Sequence, residues 1–377
     1  MTLTASSGVD RATAPVRLRV GLIGSGLIAQ AMHLHYLREL PDLYDVAAIC
    51  DLSERTATAA AGRHHVARIF TDWRELLDSD LDAILVLTGG DHAPIAIEAA
   101  RAGLHVLVEK PMCYSTDEGR LMVEAARSSG TTLMVAYNKR YDPAYERFAE
   151  AAVALEDARF LRVTTLESPI PAYVGHYPIT TTVPEADAAM RADDEAAIDA
   201  ALGDADASLR SIYRGVLLDT LVHELNAVRG VFGEPSRLDY ADLGSSQVSV
   251  MLHFGDLPVA IHWIDLPGIA RYRMEFALYA PDRRITLAFP SPFLRNEPAV
   301  LQVEGGTPGT PAAWASEEVV SYESSFKREL IAFHRHAVER SEPTTSGIDG
   351  LRDVALCQAI VACQRSGRPV EQPTQLG

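Results

Sequence analysis

The feature that most constrains the fold is an alternation of short β-branched runs with longer amphipathic stretches over residues 17 to 137. The runs that predict strands are Arg19–Ile23, Val46–Cys50, Ala83–Thr88, His105–Val108 and Thr132–Tyr137. The stretches that predict helices, with apolar residues three and four apart, are Ala29–Leu40, Ser53–His64, Asp91–Ala102 and Thr116–Ser128. Strand, helix and strand in repetition require right-handed crossovers, so we predict a doubly wound parallel sheet of the α/β class.

The second half of the chain has a different pattern. A helix is predicted to begin at Pro143, and a strand follows at Arg162–Glu167. Further predicted strands follow one another without helices between them, at Ser246–Phe254, Val259–Asp265, Tyr272–Tyr279 and Arg284–Ala288. Two helices, Ser324–Arg340 and Gly350–Arg365, close the chain. This half is predicted to be α+β, with a large, mostly antiparallel open sheet.

The length of 377 residues suits two domains at roughly 100–200 residues per domain. We expect residues 1–16 to form a disordered tail and residues 17–140 to form a dinucleotide-binding Rossmann domain. Residues 141–377 are expected to form a domain for substrate binding and oligomerisation, with an insertion at about 168–212.

The composition excludes several classes of partner. The chain has 51 acidic and 34 basic residues, a net charge of −17, which disfavours binding to nucleic acids and to anionic membranes. It has no apolar run long enough to span a membrane. Its four cysteines form no C-x-x-C pair, so we expect buried, reduced thiols and a cytoplasmic location. No cluster of residues predicts a metal site.

A glycine-rich turn follows the first predicted strand. Gly24-Ser25-Gly26-Leu27-Ile28-Ala29 fits G-x-G-x-x-G/A, with a strand before it and a helix after it. In that setting the first glycine permits the tight turn, and the second lets the backbone approach a pyrophosphate at the start of the helix. The residues predicted to contact the dinucleotide here are Gly24, Ser25, Gly26, Leu27 and Ile28.

Asp51 ends the second predicted strand, 22 residues beyond Ala29. A carboxylate there can accept hydrogen bonds from the adenosine ribose and would repel a 2′-phosphate, so NAD is favoured over NADP. The alternative is an ordinary turn at the glycines and a solvated acid at Asp51.

Glu109-Lys110-Pro111 follows another strand of the same sheet, at the edge where ligands bind in parallel sheets. A lysine beside a nicotinamide can stabilise an alkoxide, and a cis Lys-Pro bond is one way to point it inward. On its own, the tripeptide is equally typical of a surface turn.

At this point the sequence resembles the Gfo/Idh/MocA family, the relatives of glucose–fructose oxidoreductase and inositol dehydrogenase. The resemblance covers Arg17 to about Pro369. It rests on the glycine turn, Glu109–Pro111, residues 135–143 (VAYNKRYDP), Asp219-x-x-x-His223 and residues 367–370 (GRPV). It implies a Rossmann domain followed by the α+β domain described above.

The resemblance implies that proton transfer depends on Lys110, Asp219 and His223. The spacing of Asp219 and His223 supports this, because residues four apart share one helix face. Histidine titrates near neutrality and suits a general base. By the same resemblance, further cofactor contacts are expected from Thr88, Gly89, His92, Glu109, Lys110 and Asn138.

The resemblance implies an NAD-dependent dehydrogenase or reductase acting on a hydroxyl or keto group of a sugar, cyclitol or related polyol. The alternatives are a redox-neutral glycosidase that uses bound NAD transiently and a non-catalytic NAD-sensing regulator of the same fold. A homodimer or homotetramer is expected to form through the C-terminal sheet, with the strands from Ser246 to Ala288 as the candidate surface.

The sequence departs from the family pattern at three places. In the helix that carries Asp219 and His223, the usual in-motif glycine is Leu221, and the glycine-rich lead-in is reduced to Gly215. Thr88-Gly89-Gly90-Asp91-His92 lacks the usual proline and is one residue shorter. A further departure is the insertion. Its residues Tyr173, His176 and Tyr177 are predicted to lie at the tip of a lid over the substrate. The alternative is that this part of the insertion is a solvated loop. Its part from Pro184 to Ser208 has eight acids and one arginine, which predicts a solvated acidic helix and loop. Candidate substrate-binding residues are Arg140, Tyr173, His176, Tyr213 and Arg214.

Overall fold

The computed structural model of the chain describes residues 16–182 and 188–376. The predicted disordered tail, residues 1–16, lies outside the described residues except for the exposed Val16.

The first sheet is the predicted parallel sheet. Its six strands lie in the order β3-β2-β1-β4-β5-β6, and every neighbouring pair is parallel. They are β1 (Leu18–Ile23), β2 (Tyr44–Cys50), β3 (Arg68–Phe70), β4 (Ala83–Val86), β5 (His105–Val108) and β6 (Leu133–Val135). The sequence analysis missed β3, a three-residue edge strand with no buried residue, because it lacks an apolar run.

Helices connect these strands. A π-helical turn at Ala29–His33 leads into α1 (Leu34–Glu39), and the others are α2 (Glu54–His64), α3 (Trp73–Leu77), α4 (Ala93–Arg101) and α5 (Thr116–Ser129). The short helix α3 was not predicted. Ser115 and Glu118 form a capping box that fixes the start of α5.

The second sheet has nine strands in the order β14-β13-β12-β11-β7-β10-β9-β8-β15. Among the described residues, only β7 and β10 are parallel neighbours in this sheet, which confirms the mostly antiparallel prediction. The strands are β7 (Phe160–Glu167), β8 (Arg237–Leu243), β9 (Gln247–Phe254), β10 (Leu257–Asp265), β11 (Arg273–Tyr279), β12 (Arg283–Phe289), β13 (Val300–Gly306), β14 (Ala313–Val319) and β15 (Val370–Glu371). Strands β8, β13, β14 and β15 were missed.

The remaining helices join the two sheets. They are α6 (Pro143–Val153), α7 (Pro171–Val174), α8 (Ala188–Leu202), α9 (Ala207–Ile212), α10 (Val222–Phe232), α11 (Ser325–Glu339) and α12 (Gly347–Ser366), with a 3₁₀ turn at Asn138–Tyr141 and a π-helical segment at Tyr213–Leu221. Helix α12 lies between α5 and β8, while α11 packs Leu330 and Phe333 into the core of the first sheet. The last helices of the chain thereby hold both sheets in place around the crossover.

The acidic part of the insertion is only partly solvated. Helix α8 buries Ile198 and Leu202, and the Asp194 carboxylate is 4 % exposed. The predicted acidic helix is present as α8, with Asp193, Glu195 and Asp199 exposed, but it also packs apolar side chains and Asp194 inward. The charge pattern concealed this, because acids surround the apolar positions that pack inward.

All four cysteines are free and buried, as expected. Within residues 16–182 and 188–376, no helix has the length and apolar character needed to cross a membrane. The same described ranges contain no group of three or more potential metal ligands from His, Cys, Asp and Glu.

A buried network of charged side chains ties α10 to α12. The Arg229 guanidinium donates to Asp353 at 2.6 Å and to Asp349 at 3.1 Å. The Asn226 amide donates to both carboxylates at 2.7 Å. Because Arg229 and Asp353 are almost fully buried, each charge depends on the other for its solvation. The network fixes the helix that carries His223.

Asp353→Ala is expected to lower the free energy of unfolding by about 3–5 kcal/mol, because it leaves the Arg229 charge buried without its closest partner. Urea unfolding followed by circular dichroism measures this loss. The matched control is Arg352→Ala, which breaks an exposed pair with Glu234 at 3.4 Å and should cost less than about 1 kcal/mol. Equal losses for the two variants would contradict a stabilising role for the buried network.

Candidate active site

A cavity of about 470 Å³ lies where the strands of the first sheet end, a volume in the range of small-molecule sites. Its walls come from the ends of β4, β5 and β6, from the π-helical segment before α10, and from the insertion. The predicted site residues that line it are Ile28, Thr88, Gly89, His92, Glu109, Lys110, Asn138, Tyr173, Arg214, Asp219 and His223.

The glycine turn has the shape that a dinucleotide requires. Gly24 has φ +92°, and a Cβ there would lie 2.6 Å from the Leu87 backbone, so the turn needs glycine. A Cβ on Gly26 would meet no atom within 4 Å. That open space lies at the start of the helix, where free backbone N–H groups favour an anion. The buried Thr88 hydroxyl also lacks a partner among the described residues.

Asp51 is held at the end of β2 by the glycine turn itself. Its Oδ2 accepts hydrogen bonds from the Ser25 backbone N–H at 2.8 Å and from the Ser25 hydroxyl at 2.9 Å. Its Oδ1 accepts one from the Ser53 N–H at 2.9 Å. The carboxylate is therefore positioned beside the turn and the first residues of α2.

Lys110 and Asp219 face each other across the cavity. The Lys110–Pro111 peptide bond is cis. The Lys110 ammonium donates to Asp219 Oδ1 and to the Asp219 carbonyl, both at 2.7 Å. The side chain of Lys110 is 19 % exposed and that of Asp219 59 %, so the pair is reached from the open side of the cavity.

His223 lies beside this pair, one turn further along the helix. Burial lowers its pKa well below the usual value, and the charges of Lys139 and Lys110 lower it further. Its Nδ1 has no partner among the described residues, and its ring meets Tyr137 edge-on at 6.1 Å. The imidazole is therefore neutral at physiological pH and can accept a proton beside an ammonium that stabilises negative charge on oxygen.

Three of the predicted cofactor contacts use their side chains to brace the cavity wall. Glu109 Oε1 lies 2.9 Å from the ring of His33, and the Asn138 amide donates to Ser325 at 2.9 Å. The ring nitrogens of His92 lie 2.7 Å and 2.8 Å from the carbonyl oxygens of Pro111 and Thr88. The three residues still line the cavity, but these polar side-chain atoms already form hydrogen bonds within the protein.

The environment of Glu109 keeps it charged. Burial acts to raise its pKa, but the hydrogen bond and charge of His33 and the charge of Lys110 hold the pKa below its usual value. A carboxylate is therefore built into the wall directly before Lys110.

Some predicted substrate contacts lie away from the cavity. The Arg140 guanidinium donates to Asn226 Oδ1 at 3.1 Å in the buried network, and the Tyr213 hydroxyl donates to the Tyr114 carbonyl at 2.7 Å. His176 stacks on Tyr177 at 4.1 Å and does not line the cavity. These three side chains do not line the cavity, because proximity to a motif does not determine the direction of a side chain.

Sequence reasoning missed several residues of the wall. Lys139 belongs to the segment that carried the family resemblance, but it received no role. Other missed positions include Glu167, Ser168, Thr220, Tyr272, Phe293 and Phe326. These come from distant parts of the chain, and no local pattern brings them together.

The insertion supplies one side of the cavity. Tyr173 lines it, with its hydroxyl 2.9 Å from the Ser168 hydroxyl. Arg214 also lines it and pairs with Asp194 at 3.0 Å. Asp194 in turn accepts a hydrogen bond from the Asp91 N–H at 2.9 Å, next to Gly90, which has φ +93°. The shortened Gly89–Gly90 loop is thereby anchored to α8.

Residues 177–182, which we call the strap, run from the cavity to the helices that follow the glycine turn and Asp51. The Tyr177 hydroxyl donates to the Phe293 carbonyl at 2.5 Å. The backbone of Thr180 exchanges two hydrogen bonds with the Gln30 side chain, at 2.7 Å and 3.1 Å. The Thr182 N–H donates to the Thr56 hydroxyl at 3.0 Å.

Comparisons with known proteins agree with this architecture. Residues 18–137 match the family model GFO_IDH_MocA, described as an oxidoreductase family with an NAD-binding Rossmann fold. An uncharacterized oxidoreductase YrbE of Bacillus subtilis is 35 % identical over 34 % of this chain, and the match spans only 37 % of that protein.

Other similarities extend over almost the whole chain. A D-apiose dehydrogenase of Paraburkholderia graminis is 26 % identical over 94 % of this chain and 90 % of that protein. A solved structure of levoglucosan dehydrogenase in complex with NADH superposes with a TM-score of 0.74 at 20 % identity. It covers 95 % of this chain and 100 % of that one, which shows that the folds agree.

Proposed function

Because the chain belongs to the Gfo/Idh/MocA oxidoreductase family, we propose that it transfers a hydride between NAD and a hydroxyl or keto carbon of a sugar, cyclitol or related polyol. The observation that carries the proposal is the convergence of Lys110, Asp219 and His223 on one cavity beside the glycine turn. The relatives that match nearly the whole chain include a dehydrogenase of a sugar.

The residues present fit the dinucleotide. The open space at Gly26 and the helix start behind it suit the pyrophosphate, and Asp51 suits the adenosine ribose. Thr88 offers a hydroxyl without a partner among the described residues. When bound, NAD supplies the two-electron acceptor for oxidation of the carbinol carbon.

The protein residues supply the proton chemistry. In the oxidative direction, His223 accepts the proton of the substrate hydroxyl, which its neutral ring permits. Lys110 donates a hydrogen bond to the same oxygen and stabilises the negative charge that develops there. Asp219 holds the Lys110 ammonium at 2.7 Å and thereby directs it toward the substrate. In the reductive direction the proton moves back from His223 to the oxygen.

Replacing His223 with Ala is expected to lower kcat by about 10²–10⁴, because the general base is lost. Lys110→Ala should also lower kcat, since the oxygen loses its charged hydrogen-bond donor. Initial rates of NADH formation with a panel of polyols and sugars measure both effects. NADH formed stoichiometrically by the unaltered protein also distinguishes a dehydrogenase from a redox-neutral enzyme or a sensor.

The pH dependence follows from the lowered pKa of His223. The base works only when unprotonated, so its contribution is lost only as the pH falls below this depressed pKa, well under 6.5. Activity that halves near pH 6.5 through a group absent in His223→Ala would contradict the assignment. Full hydride transfer in the Lys110→Ala, His223→Ala double variant would exclude both roles.

We also propose that NAD is preferred over NADP. The support is the Asp51 carboxylate, which its three hydrogen bonds hold at the end of β2, where a 2′-phosphate would meet its charge. The unaltered protein should have a KM for NAD⁺ at least 10-fold below that for NADP⁺, by analogy with like-charge juxtaposition in binding sites. Asp51→Ala should reduce that ratio. Equal KM values in the unaltered protein would refute the proposal.

For the assembly, we propose a homodimer or homotetramer through the open face of the second sheet. Along β9 every second residue is only partly buried in the single chain, including Ser249 and Met251, and His262 on the neighbouring strand β10 is also partly buried. Sedimentation velocity that shows a monomer at micromolar concentration would contradict this.

For the location, we propose the cytoplasm. The buried, unpaired thiols support this proposal.

A further inference from the structure

Three side chains with permanent or near-permanent positive charge line the cavity: Lys110, Lys139 and Arg214. Two of them have carboxylate partners. Lys110 pairs with Asp219 at 2.7 Å, and Arg214 pairs with Asp194 at 3.0 Å. Lys139 forms no ion pair within 4.0 Å and no side-chain hydrogen bond with the side chains of residues 16–182 and 192–376. It is nevertheless only 5 % exposed.

An ammonium in this position is costly unless something binds it. Burial lowers the pKa of Lys139 to about 8, so the side chain still carries its charge at neutral pH. A buried ammonium without a hydrogen-bond partner loses solvation, and the charges of Glu224, Glu167 and Asp142 replace only part of it. The acceptor that would compensate for this loss must come from outside the described protein groups.

Among the protein carboxyl groups, Glu224 has the largest effect on Lys139, but it is a weak counter-ion. The Glu224 carboxyl is fully buried, and this burial raises its pKa to about 7. Thr165 donates to one of its oxygens, and the other has no partner among the described residues. Burial therefore favours the protonated form of Glu224, which weakens it as a counter-ion for Lys139.

We propose that Lys139 binds a carboxylate of the substrate, so that the substrate is a polyhydroxy acid rather than a neutral polyol. The proposal rests on the proposed dehydrogenase function and defines its substrate class. A carboxylate gives the ammonium a charge-assisted hydrogen bond and compensates its charge, whereas a hydroxyl supplies only an acceptor. A phosphate carries more charge and requires more donors than one unpaired ammonium provides.

The location of Lys139 in the cavity also places the proposed substrate carboxylate close to the proposed reacting groups, Lys110 and His223. The charges of Lys139 and Lys110 both lower the pKa of His223, so the three groups share one end of the cavity. If NAD⁺ binds as proposed, its nicotinamide would add a further positive charge to this cavity. A substrate carboxylate offsets this accumulation and leaves His223 free to act as a base.

The first experiment compares matched substrates on the full-length protein with saturating NAD⁺. The acids are D-glucuronate, D-galacturonate and D-gluconate, and the neutral partners are D-glucose, D-galactose and D-sorbitol. D-glucose 6-phosphate tests the other anion. We expect kcat/KM to be at least 10-fold higher for one acid than for its neutral partner and for the phosphate.

The second experiment removes the charge. Lys139→Met should lower the acid-to-neutral ratio of kcat/KM roughly 10- to 100-fold, because the carboxylate loses a charged hydrogen bond. Lys139→Arg should retain most of the ratio, and Lys139→Gln provides a second neutral variant if Met impairs folding. The matched control is Lys327→Met, which removes a lysine that pairs with Glu39 at 3.0 Å outside the cavity and should leave the ratio within about 3-fold of the parent.

The pH dependence gives an independent readout. The acid-to-neutral ratio should fall as the pH rises through about 8, because the free Lys139 loses its proton there, and it should be flat in Lys139→Met. The groups that act on Lys139 are Glu224, Lys110, Glu167 and Asp142. Since these act on both members of a pair, the ratio isolates the lysine.

Binding separates this inference from the proposed function. Isothermal titration calorimetry of the protein–NAD⁺ complex with the same compounds does not require turnover. If an acid binds in a Lys139-dependent manner but no NADH forms, the carboxylate subsite stands and the dehydrogenase proposal fails. If Lys139→Met weakens acid and neutral partner equally, or if no acid of the panel binds or reacts in a Lys139-dependent way, the carboxylate subsite is refuted.

Discussion

The position of the proposed catalytic helix depends on buried charges that neutralise one another. Arg229 and Asn226 on α10 bind Asp349 and Asp353 at the start of α12, and Arg140 of the crossover turn binds Asn226. Because α12 also packs against α5 of the first domain, these bonds set the distance between His223 and the carboxyl edge of the parallel sheet. Lys110 comes from that edge, and its meeting with Asp219 follows from this arrangement. The network therefore positions His223 and Asp219 without contacting either side chain.

Electrostatics then divides the roles of the cavity residues. His223 is kept neutral by burial and by two lysines, while Glu109 is kept charged by His33 and Lys110. Lys110 has a carboxylate partner, and Lys139 has none among the described residues. Groups of similar type therefore differ in charge state or in pairing according to their surroundings, which is how one cavity can hold a base, a charged hydrogen-bond donor and a binding cation.

The sequence was informative wherever a local pattern is sufficient. Strands β1, β4 and β5 are buried apolar runs, and the glycine turn has its context within a few residues on either side. Strands β3 and β14 were missed because they are edge strands that bury no residue completely, so they show little apolar pattern. The sequence could not show that the Arg140 and Tyr213 side chains point away from the cavity, because only tertiary structure decides whether a side chain faces a cavity or a helix. Lys139 lay in a recognised motif, but its isolation from carboxylates is a property of the folded chain.

The strap connects the proposed substrate cavity to the proposed binding region for the adenosine ribose. It begins beside the cavity at Tyr177 and ends at Thr56, one turn into the helix that follows Asp51. A change in the length or sequence of the insertion would therefore alter the protein both at the cavity and at the helix that follows Asp51. Substitutions in the insertion that alter substrate binding would also alter cofactor affinity, so the two affinities could not be changed independently through this segment.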